Sequence, residues 1–190
     1  MLVCSAVLIA DSGLAAVDGA PRRHGPAHLD PDREFIERGA CPFECCGYGR
    51  WWAEGPLTVY RREGDTTRVA YRLRDGERFT AVTGNVHVLR AGIVRMTRAT
   101  PAGQFLPFET TEGESLFVLD YQGDAVWEVW HRGYIHTLDQ FWDDEGGPEL
   151  PCELLRAPES NWWARIVDRR GRPGWLFMDR ARVGGAGGCE

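Results

Sequence analysis

The sequence contains no lysine: all 22 of its basic residues are arginine, set against 28 aspartates and glutamates for a net charge of −6. Nucleic acids and anionic membranes are bound by clustered positive charge, so this balance argues against both as partners. Long apolar runs are missing as well, and without one of about 18 residues no membrane-spanning helix is expected. No stretch of ten or more residues has the periodicity of an amphipathic helix; only residues 32–38 could give a helical turn or two. Nucleophile machinery is absent in the same way. Ser5, Ser12, Ser115 and Ser160 stand in no Gly-x-Ser-x-Gly elbow, no glycine-rich phosphate loop leads into a helix, and there is no Cys-x-x-Cys pair. The chain is therefore expected to be no enzyme and to need no cofactor.

What is present is short, turn-rich and aromatic. The 190 residues include 23 glycines, 11 prolines and 8 tryptophans, and 43% are apolar, enough for one domain or two small ones with a real core. Residues 68–74 alternate apolar and polar side chains, the period-two pattern of a half-buried strand, and end at the turn dipeptide Asp75-Gly76, after which residues 77–82 read as the partner strand. Residues 57–61 form a strand upstream. Val86 and Val88 with residues 93–96 suggest a pair around Ala91-Gly92, and residues 116–121 a more apolar strand turned at residues 122–124. Residues 126–130 pair with 134–138 across Arg132-Gly133, and residues 161–168 with 174–177 across 169–171. About nine short strands and no long helix make the class all-β, a barrel or a sandwich.

The amino terminus points to export. Residues 2–10 (LVCSAVLIA) are apolar and small residues follow, so residues 1–16 are expected to be a signal peptide, although the usual basic start is missing. Residues 17–40 read as a linker or flexible arm, 41–183 as the folded domain and 184–190 as a flexible glycine-rich tail. Removal of the signal would leave Cys41, Cys45, Cys46, Cys152 and Cys189 as disulfide candidates, with the odd one left over or paired outside the chain. Bridges worth about 2–4 kcal/mol each suit an oxidising, extracytoplasmic compartment, periplasmic or secreted. A metal or thiol centre at Cys41, Cys45 and Cys46 is the lesser alternative. A zinc site would want a second close pair, and Cys152 and Cys189 are too far apart in sequence to be one.

Three segments carry a resemblance. Leu57-Thr-Val-Tyr-Arg, Val69-Ala-Tyr-Arg-Leu and Asp75-Gly-Glu-Arg-Phe-Thr-Ala-Val together resemble the opening half of a bacterial SH3-like (SH3b) domain. Trp163-Ala-Arg-Ile-Val-Asp-Arg-Arg-Gly-Arg-Pro-Gly174-Trp175-Leu resembles the closing half. Val126-Trp-Glu-Val-Trp-His-Arg-Gly133-Tyr-Ile is a looser second version of it, with Tyr134 where the Gly-Trp would stand. The resemblance implies an SH3-like barrel, elaborated or built as two intertwined SH3-like units. The Cys-Pro-Phe-Glu-Cys-Cys arm lies outside that pattern and resembles the start of uncharacterised exported bacterial proteins.

The tryptophans are the most informative residues. In an adjacent pair on a strand one ring points inward and the other outward, and an outward ring must be covered or used. Trp51, Trp52, Trp130, Tyr134, Trp142 and Trp162 are therefore the candidate aromatic binding surface, suited to a peptide or a glycan. The acidic residues Asp139, Asp143, Asp144, Glu145, Glu149 and Glu153 lack calcium-loop order and read as a solvated loop. His87, His131 and His136 read as scattered surface histidines rather than metal ligands. The expected function is that of a non-catalytic, exported binding module for cell-wall peptidoglycan or an envelope protein or peptide, with a structural subunit of an envelope assembly as the alternative.

Overall fold

The computed structural model describes residues 22–43, 45–123, 125–139 and 150–187. They form fourteen strands: β1 (Arg22–His24), β2 (Phe35–Arg38), β3 (Gly49–Ala53), β4 (Leu57–Arg62), β5 (Asp65–Leu73), β6 (Arg78–Arg90), β7 (Gly92–Met96), β8 (Ser115–Gly123), β9 (Val126–His131), β10 (Tyr134–Asp139), β11 (Cys152–Arg156), β12 (Glu159–Asp168), β13 (Pro173–Phe177) and β14 (Val183–Gly184). A single 3-10 turn, Met178–Arg180, is the only helical element among the described residues. The protein is all-β, and no helix among these residues is long and apolar enough to cross a membrane.

The chain divides into two compact units, each drawn from two stretches of sequence. Residues 1–33 and 90–159 form one, whose six antiparallel strands run in the order β1-β10-β9-β8-β7-β11. Val94, Met96, Leu116, Val118, Val129, Leu138 and Cys152 fill its core. The β9–β10 hairpin turns at Arg132 and Gly133, both at positive φ, and pairs His131 with Tyr134 and Val129 with His136, the register its turn dipeptide and alternation predict.

Residues 34–89 and 160–190 form the other unit. Its sheet runs β14-β3-β6-β12-β13-β4-β5, with β2 also paired to β6. The order is open, with β14 and β5 at its two ends. The SH3b-like segments come together here: β4, from the opening half, pairs with β13, from the Gly174-Trp175 closing half, and β13 pairs with β12. The looser closing half is the β9–β10 hairpin of the first unit.

Several local expectations need correction. Asp75-Gly76 is a turn, with Gly76 at φ +71, but β5 pairs only with β4, so it redirects the chain instead of closing a hairpin. Residues 78–82 and Val86 with Val88 belong to the single long strand β6, which does not pair with β7. Gly84 in its middle is required by packing: a Cβ there would lie 2.3 Å from the Tyr48 hydroxyl and 2.4 Å from Trp162 Nε1. The region 17–40 is more than a linker, because β1 pairs with β10 and β2, where a helical turn was conceivable, pairs with β6. The start of the glycine-rich tail is not loose either. Gly184 pairs with Trp52, the Gly47 amide donates to the Ala186 carbonyl, and Gly187 bridges Cys46. The expected signal peptide, residues 1–16, lies outside the described residues.

Candidate ligand-binding pocket

β3 and β6 lie antiparallel, with Trp51 opposite Phe79, Trp52 opposite Arg78 and Arg50 opposite Thr80. Alternation puts Trp51 and Phe79 on the buried face and Arg50, Trp52, Arg78 and Thr80 on the exposed one. Trp51 is fully buried. Its Nε1–H donates to the Gly47 carbonyl at 2.9 Å, and its ring meets Trp162 and Phe79 edge-on at 6.0 and 6.2 Å between centroids.

Trp52 is 43% exposed and rests on glycine backbone. A Cβ at Gly184 would lie 2.1 Å from its indole Cε2, and one at Gly185, where φ is +82, would lie 2.8 Å from Cζ3. Only glycine leaves room for the ring, so these two residues hold an otherwise exposed indole in one place.

The ring borders a pocket of about 390 Å³ lined by Arg50, Trp51, Trp52, Arg78, Phe79, Thr80, Val167, Asp168 and Arg169. Asp168 is its one carboxylate, and that charge is used internally. Its Oδ1 accepts from the backbone N–H groups of Arg170 and Arg172 at 2.9 and 2.8 Å, and its Oδ2 from the Arg172 Nε at 2.7 Å. Burial alone would raise the carboxyl's pKa, but these bonds and the Arg172 guanidinium outweigh it and hold the group below the ordinary carboxylate range. Arg50, Arg78 and Arg169 have no carboxylate within salt-bridge distance among the described residues. The surplus matches the unit's composition, 14 arginines against 11 acidic residues, whereas the other unit has 8 against 17.

The tryptophans expected to share one surface do not share one site. Trp51 and Trp162 are core: Trp51 is the inward ring of its pair, whereas Trp162, at 8% exposure, and its neighbour Trp163 are both buried, so the expected one-in, one-out arrangement does not hold for that pair. Trp130 and Tyr134 belong to the other unit and are half-buried. Trp130 Nε1–H donates to the Pro26 carbonyl at 2.9 Å and its ring stacks on Phe117, while Arg22 lies over the Tyr134 ring. Trp142 lies outside the described residues. Of the set, Trp51 and Trp52 border the pocket and only Trp52 is exposed there, together with arginines that sequence reasoning did not single out; the available signal was Arg50-x-Trp52 alternating out of phase with buried Trp51.

Of the cysteines, Cys41 and Cys46 form a disulfide and Cys45 is disulfide-bonded too. Cys152 is packed in the core of the first unit, and Cys189 lies outside the described residues. No group of three or more His, Cys, Asp or Glu side chains among the described residues could hold a metal.

The three histidines are buried, not surface groups. His87 stands between Glu34 and Glu63, each 2.7 Å from one ring nitrogen. His131 lies 2.9 Å from Glu114, which also accepts from Arg132, and Phe108 stacks on the His131 ring at 4.1 Å and lies 4.4 Å from that of His136. Burial lowers the pKa of His131 despite Glu114, and burial, with His131 and Arg22 nearby, lowers that of His136 to about 4. These contacts tie strands together. None of the three histidines lines the pocket. A scan against protein-family models, a search of the curated proteins and a search of the solved structures each give no match for this chain.

Proposed function

We propose that this chain is a non-catalytic, extracytoplasmic binding module of SH3-like architecture that takes cell-wall peptidoglycan, or an envelope peptide or protein, on the surface around Trp52. The observation that carries the reading is the indole laid on Gly184 and Gly185 beside an open pocket. Such a ring offers a flat contact area that loses little entropy on binding. The pairing of β4 with β13 in one sheet supports the SH3-like part, since it joins the two halves of the resemblance. The Cys41–Cys46 disulfide supports an oxidising compartment.

Co-sedimentation of the full chain with purified peptidoglycan sacculi tests the reading. The wild type should pellet with them and Trp52→Ala should lose about tenfold or more in affinity, as expected when a central aromatic anchor is removed. A wild type that stays in the supernatant would remove peptidoglycan as the target.

The alternative of a structural subunit draws on β11. This end strand of the first sheet pairs only with β7 and exposes Leu154 and Leu155, a surface that another strand could cover. Sedimentation velocity on Leu155→Lys against wild type checks it; a dimer or larger species in the wild type that is lost in the variant would favour this reading.

A further inference from the structure

We infer that the pocket beside Trp52 selects an acidic peptide, one that presents two or more carboxylates along an extended backbone. The inference rests on the binding-module reading and names its ligand class. Arg50 and Arg78 occupy diagonal positions on neighbouring antiparallel strands, because Arg50 is opposite Thr80 and Trp52 opposite Arg78. Diagonal positions place side-chain bases about 7–8 Å apart. Arg169 comes from a third place, the turn after β12. The three arginines thus reach the pocket from three separate backbone positions. One phosphate is gripped best by donors that converge, whereas spread forks match carboxylates spaced along a strand, each able to accept two parallel N–H bonds.

The charge surplus is local to this unit. The whole chain carries −6, so an acidic ligand gains nothing from the protein's overall field. It must be drawn by these side chains, and they are available: Asp168, the one acid in the pocket wall, is held by Arg172 and by backbone amides, leaving Arg50, Arg78 and Arg169 without a carboxylate partner among the described residues. Trp52 then covers the aliphatic part of the peptide and keeps water from the ion pairs, which strengthens them.

Titration calorimetry of the full chain with acetyl-Ala-Glu-Ala-Glu, ending in a free carboxylate, and with its uncharged twin, acetyl-Ala-Gln-Ala-Gln-amide, tests this. The acidic peptide should bind at least about tenfold more tightly, and salt should erase the difference between about 0.05 and 0.5 M because the contacts are partly exposed. The Arg50→Gln/Arg78→Gln double variant should lose the same preference while unfolding at the wild-type temperature, its side chains being exposed. Equal affinity for the two peptides, or inorganic phosphate binding more tightly than the acidic peptide, overturns the inference. So does failure of the acidic peptide to bind a protein that still pellets with sacculi, and that result leaves the binding-module reading standing. Acidic-peptide binding by a protein that ignores sacculi does the reverse: the pocket assignment holds and the peptidoglycan reading falls.

Discussion

The two units are both antiparallel sheets built from the same kinds of residue, but they use arginine and aromatic side chains differently. In the unit formed by residues 1–33 and 90–159, acidic residues outnumber arginines 17 to 8, and most of its arginines meet a carboxylate. Arg23 meets Glu128, Arg95 meets Glu153, Arg132 meets Glu114, and Arg90 and Arg156 both reach Asp32. Many of its aromatic rings meet one another: Trp130 stacks on Phe117 and Phe108 on His131, and Tyr121 lies tilted against Trp127. In the unit formed by residues 34–89 and 160–190, three arginines without a carboxylate partner among the described residues stand around one pocket beside an exposed indole. The arginine surplus lies in the unit that holds the pocket, and what marks the site within that unit is the meeting of such arginines with an exposed indole.

The largest effect that sharpens the contrast lies within the adjacent pair Trp51 and Trp52. Trp51→Ala empties a core position and should cost about 3–5 kcal/mol in denaturant unfolding, with binding lost only through the fold. Trp52→Ala should cost about 1 kcal/mol or less in the same assay and yet weaken sacculus binding about tenfold or more. Equal stability losses would break the distinction between core ring and surface ring.

The next effect belongs to the first unit. His136 has its folded pKa depressed to about 4, so the native state keeps the ring neutral while the unfolded chain takes up a proton below about 6.5. The stability from this group is complete above about 6.5 and is lost as pH falls toward 4, on the order of 2–3 kcal/mol in all. Urea midpoints measured from pH 7 to 4 should show that fall, and His136→Gln should flatten it. An unchanged slope in the variant would mean that other groups govern the acid limb.

Smaller is the effect of Asp168→Asn, which removes the charge that organises the turn to Arg172. The loss should be about 1–2 kcal/mol at neutral pH. The wild type should give up that same increment on acidification, because a carboxyl with a depressed pKa stabilises the fold only above its unfolded value and ceases to as pH drops through the folded one. Unfolding curves of both proteins at pH 7 and pH 3 check this. Smallest in stability is Gly184→Ala. Its Cβ would push the Trp52 ring aside at an expected cost below about 1 kcal/mol, while binding should weaken severalfold, as titration would show. Unchanged binding would mean that the glycine cradle does not set the ring's working position.

The parts of this fold that could be read from sequence are those where local pattern and pairing partner agree. The β9–β10 and β12–β13 hairpins each flank a short turn legible in the sequence, Arg132-Gly133 and residues 169–171, so their pairing follows from the turn. Misreadings arose where a local signal had a non-local cause. Residues 77–82 and Val86 with Val88 read as parts of different strands, but one strand runs through Gly84, which is small because Tyr48 and Trp162 crowd it. Asp75-Gly76 looked like a hairpin because two strands flank it, but those strands belong beside different neighbours. The glycine-rich tail looked flexible because nothing nearby in sequence showed that Gly184 and Gly185 lie under an indole more than 130 residues upstream. Of the site, an outward member of the Trp51-Trp52 pair was legible from strand alternation, whereas the same reasoning fails at Trp162-Trp163, where both rings are buried. The arginines were not legible. Whether an arginine has a partner depends on strands that meet only in the folded chain.

The most direct test of the central claim follows the indole N–H signals of the eight tryptophans by heteronuclear NMR while the acidic peptide is added. Trp52→Phe identifies the Trp52 signal by its disappearance. The account predicts that this signal shifts first and furthest, that Trp51 and Trp162 follow weakly, and that Trp130 stays still. A Trp52 signal that does not move while another indole does, or no movement in any of the eight, would contradict it.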